Sequence, residues 1–313
     1  MKAGRLWIVL NPAAGKGRAA RQLPKIARLM RESGREFEIF TTEGAGDAIR
    51  IVQGLPPGED DVTVAAGGDG TCNEVANGLL SRPAGVFGPP RLGLLPVGRG
   101  NDFAFSAGVS PNLDVAVRTL LEGREGPLDA GLVRGGFFPE GRYFVNGVGI
   151  GFDAKVGFLA ARMRIKSGLS YALAAFAILA RYEPSPVIRI AYDGKETTLP
   201  ATLVSVVNGR RMGGVFFMGP QALLDDGLLD LCCVRHQSGR LKLLGVMKHY
   251  MRGTQAACPG VMTDRAARLL LQAPEGGMAA HCDGETVCLD GRELEISCVP
   301  AALRLVGGER RWS

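Results

Sequence analysis

An apolar, β-branched run, Val62-Thr63-Val64-Ala65-Ala66, stops abruptly at Gly67-Gly68-Asp69-Gly70-Thr71. Behind it Cys72, Val75, Ala76, Leu79 and Leu80 fall at i, i+3, i+4, i+7 and i+8, the spacing of an amphipathic helix. Strand, glycine turn and helix in that order point to a layered α/β unit. Glycines lack Cβ and let a ligand approach the backbone, and the free N–H groups of a helix start favour an anion. Asp69 would repel a bare phosphate. It makes sense if Mg²⁺ lies between the two, or if backbone donors hold the carboxylate. A plain capped βα turn is the bland alternative; the whole run with a helix behind it favours nucleotide phosphate.

Of the 313 residues, 22% are charged and 46% hydrophobic, which excludes a disordered or membrane-spanning composition. A formal charge of +6 suits nucleotides or an acidic membrane surface, and equally suits solubility. The seven cysteines show no zinc spacing, and an odd count without a secretion signal reads as reduced thiols in the cytosol. Leu6–Leu10 is too short for a signal peptide, and Leu169–Ala180 too short to span a bilayer. The expected location is cytoplasmic, with contact to the inner membrane face from the side. No nucleic-acid partner is expected; a homodimer is compatible with the pattern.

Leu6–Leu10 reads as a buried parallel strand entering Asn11-Pro12-Ala13-Ala14-Gly15-Lys16-Gly17-Arg18. That loop is not a Walker P-loop, yet its glycines and cations at a strand end suit phosphates. A helix follows with Leu23, Ile26, Ala27 and Met30 on one face and Pro24 in its first turn or at a kink. Glu36–Thr41 reads as a strand, Thr42 opens a turn, and a helix runs from about Asp47 to Gln53. Leu92–Pro96 is another buried strand, leading into Val97-Gly98-Arg99-Gly100-Asn101-Asp102-Phe103-Ala104.

Near Asp129 helical spacing yields to short strands: Tyr143–Val148, Val187–Tyr192, Ala201–Val207, Gly227–Val234, Arg268–Leu271 and Leu294–Val299. The expected architecture is an α/β nucleotide-binding domain with a parallel sheet over 1–128, then a β-rich, two-layer sandwich-like domain over 129–301. The tail, 302–313, packs back on the first domain. A helical insert over 155–182 has a broad apolar face bordered by Arg162, Arg164, Lys166 and Arg181. It reads as a helix on the sheet, or more sharply as a membrane-docking lip. Two further elements carry carboxylates. One is Pro220-Gln221-Ala222-Leu223-Leu224-Asp225-Asp226-Gly227-Leu228-Leu229-Asp230; the other is Asp283-Gly284-Glu285, whose carboxylates share one side if the chain is extended. Either could be a plain Asp-Gly turn. His236, His249 and His281 are isolated and read as structural.

Gly-Gly-Asp-Gly-Thr at 67–71 resembles the signature of the diacylglycerol kinase and sphingosine kinase superfamily, which extends to NAD kinases. Asn73-Glu74-Val75 resembles its lipid-kinase branch, and the chain as a whole the small bacterial lipid kinases. The resemblance implies an ATP-dependent kinase that phosphorylates a membrane lipid such as diacylglycerol, in a cleft between the domains. It implies nucleotide contacts from Asn11, Pro12, Gly15, Thr42, Gly67, Gly68, Asp69, Gly70, Thr71, Asn73, Glu74, Arg99 and Asn101. Arg99 departs from the family's Thr. Asp69, Asp102 and Asp129 would gather around catalytic Mg²⁺. Asp226 with the carbonyls of Leu223 and Leu228 would hold a structural Mg²⁺. Asp283 or Glu285 would be the general base. An NAD kinase is the alternative enzyme, and a silent lipid- or nucleotide-binding regulator the alternative from another class. The intact carboxylates argue against the regulator.

Overall fold

Strands with every side chain buried belong inside a layered α/β unit. β1 (Leu6–Leu10) and β3 (Val62–Gly67) are of this kind, as is β4 (Arg91–Pro96) beyond its first residue. In the computed structural model, which describes residues 4–56, 58–82, 88–162, 173–174, 177–178, 185–236 and 239–307, they pair in parallel. The half-exposed β2 (Phe37–Thr41) takes the edge beside β1, so the order is β2-β1-β3-β4. Residues Arg304–Val306 return from the far end of the chain as a fifth parallel strand beside β4.

Five helices belong to this unit: α1 (Ala14–Ser33), α2 (Asp47–Gly54), α3 (Asp69–Leu80), α4 (Asp102–Ser106) and α5 (Leu113–Glu122). Gly15, Lys16 and Gly17 open α1 in the left-handed region, with φ of 60°, 58° and 78°. Regular turns therefore begin at Arg18, and Pro24 lies inside the helix rather than in its first turn. Its missing N–H leaves the Ala20 carbonyl without the usual helical donor.

The chain divides into two units, Met1–Ala130 with Pro300–Ser313, and Gly131–Val299. The strands of the second unit pair antiparallel. They are the end of β5 (Glu125–Gly135), then β6 (Phe138–Phe144), β7 (Gly147–Gly151), β8 (Val187–Tyr192), β9 (Lys195–Val207), β10 (Leu229–Arg235), β11 (Val261–Ala266), β12 (Arg268–Gln272), β13 (Met278–Cys282), β14 (Glu285–Gly291) and most of β15 (Glu293–Val306). One layer runs β14-β13-β7-β9-β10-β11; the other continues from the first half of β9 through β8 and β12 to β15. Val148, Ile150 and Val206 of the first layer share one buried cluster with Ile190, Leu271 and Ile296 of the second. In Gly147-Val148-Gly149-Ile150-Gly151 the apolar residues enter that core, while a Cβ on Gly149 would run into Asp153 and His281. Helix α6 (Phe152–Arg162) packs on β7 and β13, and α7 (Arg240–Arg252) follows β10.

Two expectations change. The single strand over Tyr143–Val148 is broken at Val145-Asn146, because these amides turn to the Asp283 carboxylate. The proposed insert is described for α6 and four later residues only. The side chains of Arg162, Arg164, Lys166 and Arg181 lie outside the described residues.

Asp129 is 1% exposed, and its Oδ1 accepts the Ala301 N–H at 2.7 Å, tying the returning segment to the first unit. Asp129→Ala leaves that donor unmet, and should cost about 1–3 kcal/mol in urea unfolding. Asp129→Asn keeps an oxygen and should recover most of it. Equal stability of the alanine variant and the parent would remove the bond from this role.

Candidate functional site

The strand order reverses between β1 and β3, and the turns leaving β1, β3 and β4 gather at the carboxyl ends of those strands, the usual ligand crevice of an open α/β sheet. The turn after β3 is the hub. The Gly67 carbonyl accepts the N–H groups of Val97 at 3.0 Å and Gly98 at 2.9 Å. A Cβ on Gly98 would run into Gly68 Cα, and one on Gly67 into the Thr71 side chain. A Cβ on Gly15 would lie 2.7 Å from the Val97 carbonyl oxygen, so the turn after β1 presses on the same place. Asn11 shapes that turn, accepting the Ala13 N–H at Oδ1 and donating its own N–H to the Ala66 carbonyl. Pro12 follows Asn11 in it.

Asp69 opens α3, and its Oδ1 accepts the Phe103 N–H at 3.0 Å, fixing the start of α4. A Cβ on Gly100 would lie 2.9 Å from Asp69 Oδ2 and 3.3 Å from Asp102 Oδ2, so two carboxylates converge where Gly100 leaves room. Asn101 is held left-handed at φ 50°. Its Nδ2 donates weakly to the Pro96 and Gly98 carbonyls, and its buried Oδ1 has no hydrogen-bond partner. Gly70 is open to one side, Arg99 is exposed, and Thr71 and Asn73 are buried.

Other expected nucleotide residues serve the scaffold. The Glu74 carboxylate accepts the N–H groups of Gly46 at 3.0 Å and Ala48 at 3.2 Å, capping α2 across the fold. Thr42 is buried and continues β2 by donating its N–H to the Leu10 carbonyl.

In the second unit, Asp283 and Gly284 have φ of 46° and 89°, and Cys282 pairs with Glu285. The two residues are thus a tight hairpin turn, not extended chain, and the same-side argument for the two carboxylates does not hold. The Asp283 carboxylate accepts three backbone N–H groups, from Val145 at 2.9 Å, Asn146 at 3.2 Å and Gly147 at 2.7 Å. Glu285 is paired with Arg142 at 2.7 Å, and its side chain is 35% exposed.

Asp226 accepts the Leu228 N–H at 3.1 Å and meets Arg265 at 3.1 Å. Burial, and next the Asp226 charge, push the Asp230 carboxyl up to about 6. Leu223 is partly exposed on the same run. Among the described residues no three His, Cys, Asp or Glu side chains converge as a ready metal cluster. Asp226 and Asp230 offer carboxylate oxygens of the kind a hard cation takes, and Arg265 supplies the positive charge beside Asp226 here.

Residues 5–133 match the family described as the diacylglycerol kinase catalytic domain, and residues 146–307 the YegS C-terminal NAD kinase beta sandwich-like domain. The diacylglycerol kinase of Bacillus subtilis (strain 168) is 31% identical, with 90% of this chain and 89% of that protein covered. The chain belongs to the diacylglycerol kinase family of lipid kinases. The Mycobacterium tuberculosis diacylglycerol kinase is 30% identical over 97% of this kinase and 95% of its own length. The crystal structure of a diacylglycerol kinase from Bacillus anthracis superposes with a TM-score of 0.70 at 22% identity, over 98% and 97% of the two chains, which speaks to the fold.

Sequence reasoning missed two features of the kinase. His281 is not isolated: its Nε2 lies 2.9 Å from Asp153 Oδ2, with both residues buried. The glycine alternation in β7, which makes room for the pair, was the available signal. The second is an apolar cavity of ≈ 40 Å³ walled by α6, β9, β10 and α7, with Phe152, Val156, Leu203 and Tyr250 among its lining. Leu243, Val246 and Tyr250 at i, i+3 and i+7 were its signal.

Asp283→Ala strips the acceptor from three amides. It should lower stability by at least about 1.5–3 kcal/mol, the worth of one hydrogen bond to a charged group. Glu285→Gln keeps an acceptor for Arg142 and strips no backbone amide, so it should cost less than Asp283→Ala. Urea unfolding distinguishes them, and a reversed order would contradict these two roles.

Proposed function

We propose that the kinase transfers the γ-phosphate of ATP to a hydroxyl of a membrane lipid of the diacylglycerol class. The observation that carries this reading is the convergence of three strand-end turns on the Gly67–Gly98 contact, with Asp69 and Asp102 at its rim. Phosphoryl transfer asks a protein mainly for positioning and charge neutralisation. Backbone amides of the turns at 11–17, 67–71 and 97–101 hold the phosphates, and the N-terminus of α3 adds its dipole.

Asp69 and Asp102, with Asp129 as the further family position, would hold a Mg²⁺ that would neutralise phosphate charge. Asp226 with the carbonyls of Leu223 and Leu228 would hold a second, structural Mg²⁺. The hairpin carboxylates Asp283 and Glu285 furnish the base that takes the acceptor's hydroxyl proton. Among the described residues no helix is long and apolar enough to cross a membrane, which fits an enzyme that meets its bilayer substrate from one side.

The test is transfer from radiolabelled ATP to a lipid panel, with NAD as a control acceptor. Label on a lipid and none on NAD is expected; label on NAD alone would establish the other enzyme class. Within the active preparation, Asp283→Asn and Glu285→Gln separate the base from its neighbour. The base variant should lose roughly 10²–10⁴-fold in the chemical step, and small equal losses would remove the hairpin from the chemistry.

A separate measurement addresses the structural cation. At 100 times its Kd, Mg²⁺ should add about 2.7 kcal/mol of stability. Asp226→Ala should abolish that gain. A gain that survives the substitution places the ion elsewhere.

A further inference from the structure

Helix α7 has two unlike faces. Leu243, Val246 and Tyr250 point inward, buried, and with Met247 wall the apolar cavity. At 100° per residue, Leu241, Lys248 and Arg252 form one stripe on the opposite side, flanked by Lys242 and Met251. Leu241 is 85% exposed and Met251 52%. Lys242, Lys248 and Arg252 are exposed, and among the described residues none has an ion-pair partner.

No Asp or Glu occurs anywhere in the helix. Cations at its carboxyl end suit the helix dipole, but Lys242 in the first turn opposes it, with no acidic neighbour on the helix to offset the charge. A solvated helix would carry both signs of charge, and a protein-binding face would shed lysine from its centre. Apolar tips set among unpaired cations match a surface that is anionic outside and hydrocarbon beneath.

We propose that this outer face of α7 is where the enzyme lies on an anionic lipid bilayer. Leu241 and Met251 enter the headgroup boundary, and Lys242, Lys248 and Arg252 meet lipid phosphates. The cavity wall and the membrane contact are then two sides of one helix. The inference rests on the lipid-kinase reading, and its test separates the two.

The full-length parent, Lys242→Glu with Lys248→Glu, and Leu241→Ser are compared in co-sedimentation with vesicles of phosphatidylglycerol and phosphatidylcholine, and with phosphatidylcholine alone, at low and high salt. The same proteins are assayed on a short-chain diacylglycerol in solution and a long-chain one in vesicles. A cation near an anionic leaflet is worth on the order of fivefold in binding. The double variant should therefore bind anionic vesicles at least about 25-fold more weakly and show a raised KM on vesicles. Its melting temperature and its turnover of the soluble substrate should match the parent's. Leu241→Ser should weaken binding at both salt concentrations, since its contribution is apolar.

Parent-like vesicle binding by both variants overturns the proposal. So does a parent that self-associates through this face, with the substitutions making it monomeric and leaving vesicle binding intact. Should no lipid be phosphorylated while the parent binds anionic vesicles through these residues, the surface stands and the kinase reading falls.

Discussion

The proposed nucleotide side of this kinase depends on a contact that has no side chain in it. Gly68 and Gly98 bring the turns after β3 and β4 within backbone distance, and the Gly67 carbonyl bonds two amides of the facing turn. A methyl group at Gly98 would force the turns apart. From this contact follow the seat for the turn after β1, the approach of Asp69 and Asp102 to Gly100, and the left-handed setting of Asn101 with its unmet Oδ1. Close backbone approach is the physical reason for the glycines, and the proposed ligand contact would follow from the same geometry.

Carboxylates that look catalytic in a sequence also hold backbone in this fold. Asp69 fixes the start of α4, Glu74 caps α2, Asp129 ties down Ala301, and Asp283 gathers the two amides between β6 and β7 and the first of β7. A carboxylate has about four acceptor positions, so holding backbone does not by itself preclude a metal or a proton. The arrangement orients these groups before any ligand arrives. It also means that deleting one of them changes stability and chemistry together, so amide-for-acid substitutions are more informative than alanine.

Much of this was legible in the sequence. The runs Leu6–Leu10, Val62–Gly67 and Leu92–Pro96 read as buried strands, because short apolar runs bounded by turn residues suit strands covered on both faces. The family resemblance carried by Gly67–Thr71 agrees with the match over residues 5–133. What local pattern could not carry was long-range polar pairing. The break at Val145-Asn146 is set by Asp283, 138 residues from Val145 in sequence, and the reach of Glu74 to α2 spans 28 residues. Asp283-Gly284 reads as extended or as a turn until the register Cys282–Glu285 decides it. Strand β11 carries Thr263, Asp264 and Arg265 and β14 ends in Asp290-Gly291, so neither shows a clean apolar alternation, and β13 is Met278 followed by small or polar residues that only its partners make a strand.

The central claim is that ATP phosphate lies against the backbone amides of the three converging turns. Amide NMR of the kinase during titration with Mg²⁺ and ATP tests it most directly. Saturable shifts of the amides at 13–17, 67–71 and 97–101, with one Kd, are predicted. Amides of these turns that stay still while others move with ATP would contradict the account.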